Sequence, residues 1–397
     1  MKDSIRFIKI CPNDFSNASR DYRELEVCLE LGMDVIVLAK GENSRRRAIE
    51  IVNRFVVHRY TTRPLGTRIP NMVNRIVSVF LLVAYVRNMK PDIISGHDII
   101  CLTIGWMSNW FRKDKASLIY DSHEYELGRN KRRSTIQLYI IKKWEKFMIN
   151  RSQLMIVVND SIADEVKKIY RLKNRPLVIR NIAHKWNVDN RLCNEIRKEI
   201  IGAEDVERKK ILFLYCGVIC EGRGIERAIK ILTYDDNYML LILGNAASRT
   251  YLKKLIDSAN ELGVKSRLRH HEAVPYNQMW KYIGACDVGL FLGAGSARSY
   301  YLSLPNKIFE YIQANVPILA SDLPEIARII NKYEVGLTCK PNEEATIKEA
   351  LDKMFIEDKW NIFKKNTFIA KEELCWEIEK KGLMDAYRKL MDAKGIY

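Results

Sequence analysis

Two residues of opposite charge, Lys307 and Glu310, stand three positions apart in the second half of this 397-residue chain. Pro305 comes just before them and favours the start of a helix, and the apolar residues that follow keep helical spacing. Side chains at this spacing project from one face of a helix. A helix N-terminus beside a lysine can bind a phosphate group, whereas an exposed ion pair without any function gives the same pattern.

A second group of residues with phosphate-binding character is the glycine-rich segment around Arg223. Gly217, Gly222 and Gly224 follow a predicted strand and precede a predicted helix. Such a loop lets backbone amides and a guanidinium approach a diphosphate, although the glycine spacing differs from the dinucleotide-binding fingerprint. Arg223 and Lys307 together place two cations near the strand ends of one sheet, which suits two phosphates.

Two histidines, His97 and His123, follow the predicted strands 92–95 and 117–121. In open α/β sheets the carboxyl ends of parallel strands are where ligands bind, so both histidines are candidates for an active site. A structural hydrogen-bonding role explains either histidine alone equally well. The polar loop 12–20 is also placed to meet a substrate, and an ordinary connecting loop is its alternative.

These residues depend on an alternation of strands and helices that runs through both halves of the chain. Strands are predicted over residues 6–11, 34–39, 55–58, 92–95, 117–121, 155–158 and 176–179 in the first half, and over 210–216, 238–243, 287–292 and 316–320, with one more near Leu268, in the second. The polar stretch 185–198 is predicted to connect the halves. Because the chain is longer than one ordinary core requires, we expect two doubly wound domains with parallel sheets.

The composition fits a folded globular protein, with 47% hydrophobic and 29% charged residues. The nine cysteines are scattered and lack the spacing of a zinc site, which indicates reduced thiols in a cytosolic protein. We expect no signal peptide, since a predicted strand follows Met1 closely. The longest apolar run, 76–85, is too short to span a membrane and is predicted to be a buried core helix.

The formal net charge of +17 requires an explanation, and part of the excess positive charge is concentrated in one segment of the chain. Basic residues interleaved with apolar ones occur in the segment 129–148, namely Arg129, Lys131, Arg132, Arg133, Lys142, Lys143 and Lys146. A basic amphipathic helix of this kind can lie on an anionic bilayer, and a solvated helix with one core face fits equally well. No zinc finger, RNA-binding aromatic motif or helix-turn-helix pattern supports binding to nucleic acid.

The stretch Ser303-Leu-Pro-Asn-Lys-Ile-Phe-Glu310, with its continuation to Asp322, closely resembles the signature of family-4 (group 1) retaining glycosyltransferases of the GT-B fold. Other stretches similar to recurrent motifs of that family follow in family order, at 90–98, 120–124, 157–162, 178–181, 215–217, 243–244, 273–275 and 285–289. No single stretch is decisive, but their order and spacing over most of the chain make the resemblance strong.

The resemblance implies a fold and a domain arrangement. The fold is α/β of the GT-B type, with two Rossmann-like, doubly wound parallel-sheet domains that face a cleft. Residues 1–185 would form an acceptor-binding domain and residues 186–375 a nucleotide-sugar-binding domain. The helix predicted over 376–397 would pack back on the N-terminal domain.

The resemblance also implies retaining transfer of a sugar from a nucleotide-sugar donor, without a metal or another cofactor. Glu310 would hold the ribose, and Arg223 and Lys307 would neutralise the diphosphate leaving group. Backbone near Val274 would contact the base, and His123 would touch the donor sugar. Because the breaking bond leaves negative charge on the diphosphate and positive charge on the sugar ring, these groups suit the transition state.

The residues implied to act fall into three sets. The catalytic set is His123 and Glu310. The donor-binding set is Gly217, Arg223, Gly244, Val274, Ser303, Leu304, Asn306, Lys307 and Glu310. The acceptor-side set is Asn13, Arg20, His97 and Asp98. Three positions depart from the family pattern, because Leu302 replaces the usual glutamate that meets the donor sugar, Val218 replaces a frequent arginine, and Arg223 replaces the usual lysine of the next turn.

The implied reaction belongs to the biosynthesis of a cell-surface polysaccharide such as capsule or O-antigen. We expect a lipid-linked or polysaccharide acceptor, an anionic membrane surface as a partner, and a cytoplasmic location on the inner face of the cell membrane. Two other interpretations stay open. One is a sugar-nucleotide epimerase of the same fold. The other is a catalytically silent scaffold or nucleotide-binding subunit, an interpretation that rests on the absence of the usual glutamate at Leu302.

Overall fold

The structure is a computed structural model that describes residues 4–15, 19–41, 48–129, 133–295 and 297–394. The chain divides into two compact units, Met1–Arg180 with Lys380–Tyr397, and Asn181–Glu379. Each unit is built on one β-sheet. The sequence placed the domain boundaries after residues 185 and 375, close to these division points.

The first unit contains a sheet that is parallel throughout except at one edge. Its strands are β1 (Arg6–Ile10), β2 (Asp34–Lys40), β3 (Ile49–Val52), β4 (Phe55–Tyr60), β5 (Ile93–Gly96), β6 (Ser117–Ser122), β7 (Leu154–Val157) and β8 (Leu177–Val178). Its helices are α1 (Ser19–Glu30), α2 (Asn71–Asn88), α3 (Ile99–Ser108), α4 (Thr135–Ile149) and α5 (Asp160–Tyr170), with a 3₁₀ turn at Glu126–Gly128. The strand order is β3-β4-β2-β1-β5-β6-β7-β8, and only β3 and β4 pair antiparallel. The chain order therefore reverses between β1 and β5, which makes their carboxyl ends a topological switch point.

Two features of the first unit differ from the sequence prediction. Strand β3 was not predicted, and it forms a hairpin with β4 at the sheet edge, where Ile49 and Ile51 are exposed. The prediction of a buried helix over 76–85 was wrong about burial. The apolar residues fall in α2, but one side of that helix faces solvent, so that Met72 is 72% and Phe80 59% exposed.

The second unit contains a fully parallel sheet. Its strands are β9 (Ile211–Cys216), β10 (Tyr238–Leu243), β11 (Leu268–His271), β12 (Val288–Phe291), β13 (Ile318–Ser321) and β14 (Gly336–Cys339). Its helices are α6 (Asn190–Ile201), α7 (Ala203–Glu207), α8 (Ile225–Ile231), α9 (Arg249–Glu261), α10 (Met279–Gly284), α11 (Arg298–Tyr301), α12 (Asn306–Gln313), α13 (Pro324–Tyr333), α14 (Glu344–Phe355) and α15 (Lys359–Glu373), with 3₁₀ turns at Lys265–Arg267 and Tyr276–Gln278. The strand order is β11-β10-β9-β12-β13-β14. Central residues such as Phe213, Leu240 and Leu290 are buried, as expected for a parallel sheet covered on both faces.

The prediction that residues 185–198 connect the two halves was wrong in part, because the first residues of helix α6 lie within this segment. Asp189 caps this helix by accepting a hydrogen bond from the backbone of Arg191. Arg197 then ties the helix to the sheet, since its Nη2 donates to Asp287 Oδ2 at 2.8 Å. The segment is polar because one face of α6 is exposed, and the other face belongs to the second unit.

The predicted helix and strand around Lys307 are confirmed. Helix α12 begins directly after Pro305, and Asn315 adopts the left-handed conformation with φ 61° just beyond its end. Strand β13 follows after a short turn. Gln313 at the end of α12 donates to the carbonyl oxygen of Leu374 at 2.9 Å, which fixes the helix within the second unit.

The last helix, α16 (Trp376–Asp392), crosses the division between the units, and its residues from Lys380 onward belong to the first unit. There Tyr387 Oη donates to Glu24 Oε1 at 2.5 Å, and Lys380 pairs with Glu30 at 2.8 Å. The second half of α16 is therefore part of the core of the first unit.

Within the described part of the chain, no helix combines the length and apolar character that crossing a bilayer requires. All nine cysteines are free thiols, and all except Cys220 are buried.

Candidate functional site

Charged and polar side chains of the first unit meet at the carboxyl ends of β1, β5 and β6, beside the topological switch point. We call this group the Lys9 network. Its members are Lys9, Arg20, Asp21, Glu24, Ser95, His97, Asp121, His123 and Tyr387.

Lys9 is fully buried in β1, and its ammonium group is the centre of the network. Its Nζ lies 2.5 Å from Glu24 Oε2, 3.0 Å from Asp121 Oδ2 and 3.2 Å from Asp21 Oδ1. It also donates to Ser95 Oγ at 3.2 Å. Burial lowers the pKa of Lys9, but the nearby carboxylates raise it more, so the pKa lies well above its usual value. This lysine therefore carries a fixed charge.

Arg20 connects α1 to β6 and to the segment that follows β8 in the first unit. Its Nη2 donates to Asp121 Oδ1 at 2.7 Å, and its Nη1 donates to the carbonyl oxygen of Ile179 at 2.6 Å. Burial raises the pKa of Asp121, but Arg20, His123 and Lys9 lower it more, so that it lies well below its usual value. Asp121 is therefore an ionised carboxylate, and Arg20 positions it.

The two predicted histidines form the accessible end of the network. Their ring centroids are 3.5 Å apart, and their side chains are 15% (His97) and 17% (His123) exposed. His97 Nδ1 lies 3.2 Å from Asp21 Oδ1, and His123 Nε2 lies 2.6 Å from Asp121 Oδ2. Burial lowers the pKa of His123, even though Asp121 opposes this change. The neutral ring then donates from Nε2 to Asp121 and leaves Nδ1 as an acceptor.

Some of these groups have the identity and spacing of metal ligands. Asp21, Asp121 and His123 lie close enough together to share one metal ion. The same is true of Cys11, Asp21 and His97. However, the ammonium of Lys9 contacts both aspartates at 3.0 to 3.2 Å and supplies positive charge there. The arrangement therefore fits an internal cation better than a bound metal.

The other two residues of the acceptor-side set have local contacts. Asn13 Oδ1 accepts a hydrogen bond from the backbone of Phe15 at 3.1 Å. Asp98 caps α3, since its Oδ1 accepts from the backbone of Cys101 at 2.8 Å. Among the contacts described, neither joins the Lys9 network, whereas Arg20 and His97 do. Residues 16–18 of the predicted substrate loop lie outside the described residues.

In the second unit, Lys307 is the centre of a different arrangement, which we call the Lys307 cluster. Its members are Tyr215, Gly217, Arg223, Phe291, Tyr300, Lys307 and Glu310. They come from the carboxyl ends of β9 and β12, the loop after β9, and helices α11 and α12.

The ammonium of Lys307 packs against aromatic rings at the start of α12. Its Nζ lies 4.1 Å from the ring centroid of Tyr215 and 5.7 Å from that of Phe291. A Cβ at Gly217, where φ is 124°, would lie 3.2 Å from Nζ, so a glycine leaves room for the lysine. Burial lowers the pKa of Lys307 to about 8, and the nearby Arg223 acts in the same direction.

Arg223 is held by a tyrosine that the sequence analysis did not identify. Its guanidinium carbon lies 5.3 Å from the ring centroid of Tyr300, and its Nη1 donates to Tyr300 Oη at 3.5 Å. The next residue, Gly224, has φ 78°, and a Cβ there would come within 2.2 Å of the carbonyl oxygen of Leu292. The glycine-rich loop is therefore packed closely against the end of β12.

Glu310 is 9% exposed and lies on α12 one turn after Lys307. The following residue fixes this helix, because Tyr311 Oη accepts from the backbone of Cys216 at 3.3 Å and donates to the carbonyl oxygen of Leu290 at 3.2 Å. The position of Glu310 is therefore set by contacts to both β9 and β12.

Most of the remaining donor-set residues lie on loops of the second unit. His270 Nε2 lies 3.1 Å from the carbonyl oxygen of Gly244, and the neighbouring Asn245 accepts from the backbone of Ala273 at 2.9 Å, just before Val274. Ser303 Oγ donates to the carbonyl oxygen of Tyr300 at 2.7 Å. Leu302 and Leu304 are buried, at 4% and 7% exposure, and Asn306 begins α12. The leucine that replaces the family glutamate is thus a packing residue.

Lys9, Asp21, Glu24 and Asp121 were also missed by the sequence analysis. One signal was available, because Lys9 stands between isoleucines in a predicted buried strand, where a charge requires partners. The partners themselves are distant in sequence. Tyr215 lies in the stretch 215–217 that resembles a family motif, although no role was predicted for it, and nothing in the sequence identified Tyr300.

Comparison with protein families gives two matches that together cover most of the chain. The family described as "Glycosyl transferases group 1" matches residues 196–368. The family described as "Glycosyltransferase Family 4" matches residues 24–182.

Comparison with individual proteins agrees. The chain is 27% identical over 153 residues to the probable glycosyltransferase WbjE of Pseudomonas aeruginosa, a match that spans 36% of this chain and 36% of that protein. A crystal structure of Anabaena HepE with UDP and glucose is 12% identical, with a TM-score of 0.72 over 97% of this chain and 100% of that one. Sucrose-phosphate synthase from Thermosynechococcus elongatus is 15% identical, with a TM-score of 0.74 over 98% and 100%. The lipopolysaccharide outer core galactosyltransferase WaaB is 13% identical, with a TM-score of 0.69 over 97% and 99%.

Proposed function

Since the chain belongs to the group 1 glycosyltransferases of the GT-B fold, we propose that it transfers a sugar from a nucleotide-sugar donor to an acceptor. We also propose that the transfer retains the anomeric configuration and uses no metal. The observation that carries the proposal is the half-buried Lys307 beside Gly217, whose lowered pKa indicates a cation without full compensation.

In the proposed reaction the Lys307 cluster binds the donor diphosphate. Lys307 and Arg223 neutralise the charge that develops as the sugar leaves, and their aromatic neighbours exclude water from around them. Glu310 accepts hydrogen bonds from the ribose hydroxyls. The structural neighbour HepE was crystallised with UDP and with UDP-glucose, which makes UDP the first nucleotide to test.

The Lys9 network has a different role in the proposal. The carboxylates of Asp21 and Asp121 hold His97 and His123 in fixed orientations, and His123 presents Nδ1 as an acceptor to the donor sugar. The proposed role of Lys9 and Arg20 is to position these carboxylates. They are positioning residues, not catalytic ones.

The test is a thermal-stability panel of nucleoside diphosphates and nucleotide sugars, followed by product analysis. A ligand at one hundred times its dissociation constant adds about 2.7 kcal/mol of stability, which a melting shift reveals. We expect a shift with one nucleotide, its loss in Glu310→Ala, and an acceptor-dependent product. An epimerised sugar nucleotide without acceptor dependence would contradict the proposal, and binding without any turnover would indicate the scaffold.

For the acceptor, we propose a lipid-linked or polysaccharide molecule at an anionic membrane, in cell-surface polysaccharide biosynthesis. The structural neighbour WaaB is a lipopolysaccharide outer core galactosyltransferase, which supports this pathway class. The proposed contact surface is the exposed apolar face of helices α2, α3 and α4. Its residues include Met72, Ile76 and Phe80 on α2, Ile100 on α3, and Ile136, Tyr139 and Ile140 on α4.

The basic residues expected to support membrane contact are only partly available. Arg129 and Arg133 pair with Glu126, at 3.0 and 2.8 Å, and Lys131 and Arg132 lie outside the described residues. Lys143 lies on α4 with its Nζ 5.4 Å from the ring centroid of Tyr139. The apolar residues of α4 therefore carry more of this proposal than the basic segment does.

Vesicle co-sedimentation tests the membrane contact. Ile136→Asp with Ile140→Asp should release the protein from phosphatidylglycerol vesicles. A matched control is Ile362→Asp with Ile369→Asp, two exposed isoleucines on α15, which should leave binding unchanged. Equal binding of both double variants would contradict the membrane proposal without affecting the donor site.

A further inference from the structure

The first unit has a concave region at the amino ends of β5 and β6, which is the opposite end of these strands from the Lys9 network. A cavity of about 860 Å³ opens there, a size typical of ligand sites. Its basic lining residues are Arg87, Lys90, Arg112, Lys113, Lys115 and Lys394. The reaction proposed above uses none of them.

The charges of this cavity are not balanced within it. Asp92 and Asp114 are its acidic lining residues, and Asp92 Oδ2 already accepts a hydrogen bond from the backbone of Arg6 at 2.9 Å. Arg112 donates through Nη2 to the carbonyl oxygen of Pro91 at 2.8 Å. Cations therefore outnumber acids in the cavity, which favours an anionic ligand.

Two guanidinium atoms in the cavity wall also lack acceptors. Arg112 Nη1 and Arg87 Nε are buried from solvent and have no hydrogen-bond partner among the described residues. Buried donors of this kind are nearly always satisfied in folded proteins, by protein, water or ligand. A carboxylate or phosphate oxygen in the cavity could accept from them.

A neighbouring hollow of about 420 Å³ shares Lys115 with this cavity and is lined by aromatic rings. Phe111 is 92% exposed and has φ 62°, a conformation that is costly for a bulky residue. Trp110 beside it is 43% exposed. The guanidinium carbon of Arg87 lies 6.0 Å from the centroid of the Phe111 ring, so the aromatic hollow and the basic cavity lie next to each other.

We propose that this combined region, the Arg87–Phe111 site, binds an acidic glycan. Exposed aromatic rings pack against the apolar faces of sugar rings, and the basic cavity pairs with their carboxylate or phosphate groups. Single-stranded nucleic acid offers stacking and negative charge too, and the choice of a glycan rests on the proposed function. In this proposal the site binds a part of the acceptor or product glycan that is distant from its reacting end.

Binding measurements with defined probes test this inference directly. The probes are oligogalacturonate, neutral dextran of equal length, an oligothymidylate and phosphatidylglycerol vesicles, each added to the whole protein with saturating UDP present. We expect oligogalacturonate to bind at least about tenfold more tightly than dextran or oligothymidylate, with an affinity that falls as salt increases.

Two variants locate the binding. Lys113→Ala with Lys115→Ala should weaken oligogalacturonate binding about tenfold. Phe111→Gly should weaken it as well without unfolding the chain, because the ring is exposed and glycine accepts the left-handed backbone. The matched control is Lys265→Ala with Lys348→Ala, which removes equal charge from exposed positions of the second unit and should change nothing.

The outcomes separate this inference from the proposed function. Binding of oligogalacturonate that depends on Lys113, Lys115 and Phe111 supports the site even if no sugar transfer is detected. Equal binding of dextran, preference for oligothymidylate, binding to vesicles only, or equal loss in the Lys265 and Lys348 control would each overturn it.

Discussion

The two units each place a lysine beside the carboxyl ends of parallel strands, Lys9 fully buried and Lys307 half-buried, and the two lysines have opposite electrostatic environments. Lys9 lies among the carboxylates of Asp21, Glu24 and Asp121, and its pKa is raised. Lys307 lies over the rings of Tyr215 and Phe291, and its pKa is lowered to about 8. Burial acts against the charge in both places, so the neighbours decide the result.

We interpret this difference as one of role, in which the charge of Lys9 supports the fold and the charge of Lys307 is available to a ligand. Lys9 is compensated within the folded chain, so its contribution is to stability and to the orientation of His97 and His123. Lys307 is half-buried without equivalent compensation, and a ligand that brings negative charge would remove that deficit. Of the two lysines, we therefore expect Lys307, with its lowered pKa, to mark the anion-binding site.

The largest expected effect is on stability. Lys9→Met leaves the carboxylates of Asp21, Glu24 and Asp121 buried without their shared cation, and we expect a loss of about 3–5 kcal/mol in the free energy of unfolding. Urea denaturation measures this loss. Lys307→Met is the matched comparison, and it should change the free energy of unfolding by no more than about 1 kcal/mol. Similar losses in the two variants would contradict the distinction.

The second effect concerns nucleotide binding. Lys307→Met should weaken UDP binding about 10- to 100-fold, because a charge-assisted hydrogen bond to phosphate contributes about 1.5–3 kcal/mol. Isothermal titration calorimetry measures the change. Lys230→Met on α8 is the control, since that lysine pairs with Glu344 on the surface and should not affect UDP.

The third effect is a pH dependence of the same binding. Above pH 8 the free protein loses the Lys307 proton, and binding of a diphosphate must then include proton uptake. We expect UDP affinity to be about tenfold lower at pH 9 than at pH 7. Lys307→Arg should flatten this dependence, because a guanidinium stays protonated. An unchanged slope in the arginine variant would assign the titration to another group.

The smallest effect tests the far end of the Lys9 network. Tyr387→Phe removes the hydrogen bond to Glu24, and we expect a loss of about 1 kcal/mol in the free energy of unfolding. Thermal unfolding measures it. Tyr333→Phe, which removes an exposed hydrogen bond to Glu373, should have a smaller effect.

The sequence predicted the alternation of strands and helices and the helix that carries Lys307 and Glu310, because these depend on local spacing and on Pro305 and Asn315. It did not predict the Lys9 network, whose members are far apart in the chain and meet only through the strand order. Helix α6 was missed because its many charges hid the apolar spacing of Leu192, Ile196 and Ile200. The local sequence pattern therefore predicts the helices and strands, whereas the order of the strands in the sheet decides which distant side chains meet.

The division of α16 between the units has a consequence for biosynthesis. Tyr387 and Glu24 are 363 positions apart, so the first unit cannot complete its core until the last part of the chain has left the ribosome. The second unit is one continuous segment, Asn181–Glu379, and can fold earlier. The part of the protein made first is therefore expected to be finished last, and nascent chains that stop before residue 387 should hold a folded second unit beside an incomplete first one.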